Sequence, residues 1–183
     1  MVRSQFENLS VVWSPSAKTS INKLEAIQKR AVRWILDEQY QEYDNELVYL
    51  QKLETLNILP IKFRLIFTDL CLFQKIMNKT ISIELPLYFQ PTTEEELTKL
   101  RTTHKDPDYL ECNIEEKLDI FENSYFNRTR NEWNRLPLNL RKTKCLSTFQ
   151  SRLKEHLWEI VSHDPEISDS SFSSDNSDIM DTG

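Results

Sequence analysis

Apolar residues recur at three- and four-residue steps along most of this chain, in runs bounded by proline, serine or aspartate where helices start and stop. The first run begins at Ser14-Pro15, an N-cap followed by proline at the first helical position, and extends to about Leu36. In it Ile21, Leu24, Ile27, Ala31 and Ile35 share one face, while Lys23, Arg30 and Arg33 project from the other. Asp44 can cap a second helix carrying Leu47, Leu50, Leu53 and Leu56. Pro60 opens a third, to about Lys79, that is apolar nearly all round and therefore belongs at the centre of a core. Ser124 begins a fourth, with Phe126, Thr129, Trp133 and Leu136 in one stripe and Arg128, Asn131 and Arg135 opposite, and Pro137 ends it. Ser147 with Gln150 reads as a capping box for a last helix that buries Phe149, Leu153, Leu157 and Ile160 and stops at Pro165.

Between the third and fourth helices, Pro86, Pro91 and the Glu94-Glu95-Glu96 run mark a long connection. From Tyr109 to Phe121 neither period fits, so a short extended pair and irregular structure are both open. The fold class expected is all-α: an irregular bundle of about five helices. The only glycine is Gly183, which removes glycine-rich phosphate loops, Asn-Gly hairpins and nucleophile elbows. With 183 residues the chain can bury a core of its own.

Charge changes this picture in two places. The net charge of -6 comes from residues 164–183, where six acids stand without a lysine or arginine, so the rest carries as many acids as bases. Rich in serine and aspartate, that acidic tail should be disordered. Within 124–154, eight cations face Glu132 alone, and Lys18, Lys23, Lys29, Arg30 and Arg33 form a second basic stretch, whereas 94–122 is mostly acidic. Cys71, Cys112 and Cys145 have no paired spacing and fit a reducing compartment. No signal peptide or membrane span is apparent, so a nuclear or cytoplasmic protein, not secreted and without a membrane partner, is expected.

The order Ser124-Tyr125-Phe126-Asn127-Arg128, Trp133-Asn134-Arg135-Leu136-Pro137, then Ser147-Thr148-Phe149 and Leu153 resembles one family. It is similar to the C-terminal region of the reverse transcriptase polyprotein of non-LTR retrotransposons, the jockey-like and related LINE elements. Val12-Trp13-Ser14-Pro15, Leu24 to Ala31, and Leu53 to Leu59 with Arg64 and Asp69-Leu70 match as well, so the likeness spans roughly residues 5 to 160. It implies residues 1–13 as the remnant of a preceding thumb element, 14–163 as a helical domain and 164–183 as an appended tail. It implies the palm and thumb of a parent polymerase as partners, and Phe126, Trp133, Leu136, Pro137, Ser147 and Phe149 as structural signature residues. Polymerase chemistry does not follow. A palm holds two metal ions on clustered carboxylates, usually with an Asp-Asp pair, and this chain has no such pair. No catalytic residue, cofactor or metal site is assigned: His156 and His163 lack the paired spacing of zinc ligands, and Cys145 among lysines has no histidine nearby in sequence.

The basic face carries the most functional content. Arg128, Arg135, Arg141, Lys142 and Lys144, with Arg30 and Arg33, can track a phosphate backbone. They can equally form a solvated face against the acidic 94–122 segment, and the resemblance favours RNA or single-stranded DNA. Trp133 and Phe126, at helical spacing, read as core before base-stacking platform. Two further readings stand beside this one: a helical protein-interaction module, marked by exposed apolar surface, and an inert retrotransposon relic.

Overall fold

The computed structural model describes residues 10–15, 17–36, 46–86, 89–91, 110–112, 121 and 123–163. The expected Asp44 cap, the Glu94–Glu96 run, residues 1–9 and the acidic 164–183 segment lie outside them.

The fold is all-α. The described residues form α1 (Ser10–Trp13), α2 (Lys18–Ile35), α3 (Glu46–Thr55), α4 (Ile61–Met77), α5 (Tyr125–Arg135), α6 (Leu138–Arg141) and α7 (Leu146–His163). A three-residue antiparallel pair, β1 (Phe89–Pro91) with β2 (Leu110–Cys112), joins Phe89 to Cys112 and Pro91 to Leu110. Of the two structures left open for 109–121, the described Leu110–Cys112 is extended, and its partner comes from upstream of the Glu94–Glu96 run.

The all-round apolar α4 is central, packed by α1, α2, α5 and α7. Its Phe63, Leu70 and Phe73 join one core with Trp133 of α5, Leu136 just after it, and Phe149, Leu153, Leu157 and Val161 of α7. The Trp133 ring lies 5.3 Å from that of Phe73 and 6.0 Å from that of Phe149, distances at which tilted aromatic pairs attract. A second cluster, Val32, Tyr49 and Leu53, closes α2 against α3, and Leu50 and Trp158 touch both clusters. With no internal glycine to end a helix, α3 and α4 place Asn57 (φ 55°) and Lys79 (φ 54°) in the left-handed region. Both helices close with the Schellman pair of bonds, Ile58 N–H to Leu53 O and Asn57 N–H to Glu54 O for α3, Thr80 N–H to Lys75 O and Lys79 N–H to Ile76 O for α4.

Buried hydrogen bonds lock α2 to α4. Pro60 has no side-chain acceptor for the amides at the start of α4, and Glu25 Oε2 takes the Ile61 N–H at 2.8 Å instead. Tyr49 donates its hydroxyl to the other Glu25 oxygen, and Gln28 Nε2 donates to Tyr49 Oη (3.2 Å) and to Leu59 O (3.1 Å). Arg64 donates to Gln28 Oε1. Burial raises the Glu25 carboxyl above the usual range, against these hydrogen bonds, and raises the Tyr49 hydroxyl as well.

Several sequence expectations are corrected. Helix α2 starts at Lys18, because the Ser14 N–H closes α1 by donating to Ser10 O (2.8 Å). Its buried residues are Gln28 and Val32, while Ile27 (65 %), Trp34 (82 %) and Ile35 (60 %) are exposed. The polar network turns the helix, placing Glu25 and Gln28 toward α4 and part of the expected apolar face toward solvent. In α3 the buried pair is Tyr49 and Leu53, and Leu47 is exposed. Ser147 is not a cap: α7 begins one residue earlier, at Leu146, with Phe149 N–H bonded to Cys145 O. Val161, four residues after Leu157, takes the place expected for the exposed Ile160.

Trp133 is 3 % exposed between Phe73 and Phe149, so Trp133→Ala should cost about 3–5 kcal/mol through lost contacts and the cavity left behind. Urea unfolding of the variant measures it, and a midpoint equal to the parent's would remove Trp133 from the core.

Candidate nucleic-acid interface

Three of the cations singled out in the sequence are committed to the protein itself or partly withdrawn from solvent. Expected on the solvent side of α5, Arg128 is instead half-buried. Its Nε lies 2.9 Å from Asp69 Oδ2, one terminal nitrogen donates to Asn123 O (3.1 Å), and the other donates to Ser10 O (3.4 Å) and Val11 O (3.1 Å). The guanidinium also stands 5.6 Å from the centre of the Tyr125 ring, whose hydroxyl donates to Asp69 O. One side chain thus ties α1, α4 and α5 together. Burial raises the Asp69 carboxyl despite Arg128, and its Oδ1 has no hydrogen-bond partner among the described residues. The pair borders a cavity of about 140 Å³ lined by Ser14, Pro15, Ile21, Leu65, Thr129 and Glu132 among others.

Arg141 donates its Nε to Leu136 O (3.1 Å), satisfying a carbonyl at the end of α5. Arg33 is half-buried on α2. Arg135 is exposed and pairs with Glu132 one turn back at 2.9 Å. Lys142 and Lys144 are exposed beside the C-terminal end of α4, where Gln74 Nε2 donates to Thr143 O and Lys144 O. Arg30 is exposed on α2, which joins α4 at its other end through Ile61 and Arg64. Lys142 and Lys144 thus stand by the C-terminal end of α4, Arg128 is bound to Asp69 at its middle, and Arg30 lies on the helix bonded to its start.

The rest of the quoted signature has structural roles. Phe126 is partly buried against the core and Leu136 is fully buried. Pro137 stands before α6. Asn134 reaches β2: its Oδ1 accepts the Leu110 N–H (3.1 Å) and its Nδ2 donates to Leu110 O (2.9 Å). A single carboxamide thereby satisfies both backbone groups of a residue whose side chain is fully buried.

The sequence reading placed Lys23 and Arg30 on the outward face of α2 but missed that Ile27 and Trp34 stand there with them. Lys23, Ile27, Arg30 and Trp34 follow at steps of four, three and four residues, all exposed, with exposed Ala31 beside them. Mixed cationic and apolar character along one stripe was the available signal, hidden because Ile27 and Ala31 also fit the inward repeat. Lys29 is not part of it, being 2.6 Å from Glu46 and stacked on Tyr49.

Cys145 is the other exposed reactive group. At the start of α7 its Sγ lies 3.2 Å from Ser147 Oγ. Hydrogen bonds from the Ser147 hydroxyl, the Thr148 amide and hydroxyl and the Ser147 amide push its thiol down to about 6. Burial pushes the Cys71 thiol up to about 11. His156 lies 3.7 Å from Glu159, and no group of three His, Cys, Asp or Glu side chains among the described residues is placed to hold a metal ion. No described helix is long and apolar enough to cross a membrane.

No protein-family model, curated protein or solved structure matches the chain. The likeness to the retrotransposon region rests on the residues quoted for it.

Two outcomes follow from these environments. Arg128→Ala leaves Asp69 buried without its cation and should cost about 3–5 kcal/mol, whereas Arg135→Ala, removing an exposed pair, should stay within about 1 kcal/mol; equal urea midpoints for the two variants would refute the assignment. Iodoacetamide should modify Cys145 with a half-maximal rate near pH 6, since the thiolate is the reacting form, while Cys71 reacts only on unfolding. Peptide-resolved mass spectrometry reads both sites, and a Cys145 profile rising only above pH 8 would contradict the hydrogen-bonded thiolate.

Proposed function

We propose that this chain is a non-catalytic helical module, resembling the region downstream of a non-LTR reverse transcriptase palm, that contacts single-stranded RNA or DNA through the outward face of α2. The observation carrying the reading is Trp34, 82 % exposed in line with Arg30 and Lys23. A base stacks on an exposed indole whatever its identity, and cations one turn away hold the flanking phosphates. Lys142 and Lys144 would add phosphate contacts beyond this stripe without defining it. The absence of an Asp-Asp pair from the sequence supports a positioning role beside a catalytic partner.

One observation favours protein docking as a second reading. Ile27, Ile35, Leu47 and Val48 add exposed apolar surface on α2 and α3 that base stacking alone does not use. A palm or thumb partner would cover such a surface.

Fluorescence anisotropy of a labelled oligouridylate at 50 mM salt decides between them. Trp34→Ala should weaken binding by about 1–3 kcal/mol, the worth of one base–aromatic stack, with the thermal midpoint unchanged because the indole contributes little to the core. Arg30→Glu should also flatten the salt dependence, which falls by about 0.7 log units per log unit of salt for each single-strand phosphate neutralised. Affinity indifferent to Trp34 and Arg30 would leave the docking reading in its place.

A further inference from the structure

The outward face of α2 has a second candidate occupant within the same chain. We propose that residues 164–183 lie along it, their carboxylates against Lys23 and Arg30 and their aromatic residue against the Ile27–Trp34 strip, so that the segment competes with any ligand of that face. The competition rests on the nucleic-acid reading above; the intramolecular contact does not.

The argument starts from where the chain leaves the fold. Trp158, one turn before the end of α7, packs against the cluster that contains Val32 and Tyr49, with Leu36 beside it. The last described turns of α7 thus stand on the side of the core that Val32 closes, and Val32 belongs to the half of α2 that also bears Arg30, Trp34 and Ile35. Reach is sufficient. Twenty residues span about 25 Å as a random coil, and α2 with its 18 residues is about 27 Å long.

Composition supplies the match. Asp164, Glu166, Asp169, Asp175, Asp178 and Asp181 have no lysine or arginine among their neighbours in the segment, whereas α2 carries five cations and, as its only acid, Glu25, which is turned inward to Ile61 and Tyr49. Ile167 stands near the start of the segment, Phe172 near its middle and Ile179-Met180 near its end, apolar side chains among serines and acids. The receiving face has the same composition with the opposite sign, cations interleaved with Ile27, Ala31 and Trp34. A second copy of the chain is the poorer occupant, because two α2 helices laid together would set cation against cation.

Hydroxyl-radical footprinting of the full chain at 50 mM salt, read by mass spectrometry at Trp34, tests the contact directly. Wild-type Trp34 should oxidise severalfold more slowly than Trp34 in a variant with the six carboxylates of 164–183 changed to Asn or Gln. Phe172→Ser and the double variant Lys23→Glu/Arg30→Glu should each raise the wild-type rate, and 500 mM salt should narrow the difference. Equal oxidation of Trp34 in wild type and in the neutralised variant overturns the proposal. Labelled oligouridylate binding, measured on the same proteins, separates the two readings. Protection of Trp34 with no binding by the neutralised variant keeps the contact and removes the nucleic-acid function. Trp34-dependent binding without protection keeps the function and removes the contact.

Discussion

Helix α4 has too little polar surface to stand in water, and the arrangement of α1, α2, α5 and α7 follows from covering it. Burial of Phe63, Leu70 and Phe73 supplies the drive, but apolar burial is non-directional and does not say which helix goes where. The few polar groups of α4 do. Its first amide and Arg64 need the Glu25 and Gln28 side chains, which fixes α2. Asp69 needs Arg128, which fixes α5 and, through the carbonyls of Ser10 and Val11, brings in α1. Gln74 needs the carbonyls of Thr143 and Lys144, which sets the turn from which α7 starts. An unpartnered buried polar group costs about 1–3 kcal/mol, so each demand is comparable to a sizeable part of a domain's net stability.

This specification carries a cost that depends on pH. Burial raises the carboxyls of Glu25 and Asp69, so each binds its proton more tightly in the folded chain than in the unfolded one. For a group of that kind the contribution to stability is complete below its unfolded pKa and is lost as pH rises through the folded value. The two carboxyls thus position their neighbouring helices against the cost of desolvating their charged forms.

How much of this was legible depends on which interactions decide each element. Helix existence was legible because periodicity and proline are local: α4 after Pro60, α5 after Ser124 and the break at Pro137 all stand where the pattern puts them. Trp133 as core was legible for the same reason. Facing was not legible in α2, because Glu25 and Gln28 are polar by type and buried by partnership with residues 21 to 36 positions away. Arg128 failed likewise: its partner Asp69 lies 59 residues upstream. The start of α7 was misplaced because Ser147 and Gln150 satisfy the capping-box spacing while the chain turns helical one residue before Ser147.

The same reasoning explains why the candidate interface sits on α2 and not on the signature helix. A cation can serve a ligand only if the fold has not already used its donors, and sequence density of arginine says nothing about that use. On α5 the density is high, yet Arg128 is spent on Asp69 and three backbone carbonyls, and Arg135 shares Glu132. On α2 the inward face is held by Glu25, Gln28 and Val32 at their mutual spacing of three and four, so the side chains half a turn away are forced outward together. Lys23, Arg30 and Trp34 are among those side chains. Their exposure is a consequence of how α2 is anchored to α4, and the rigidity of that anchor gives a ligand on the outer face a fixed row of contacts.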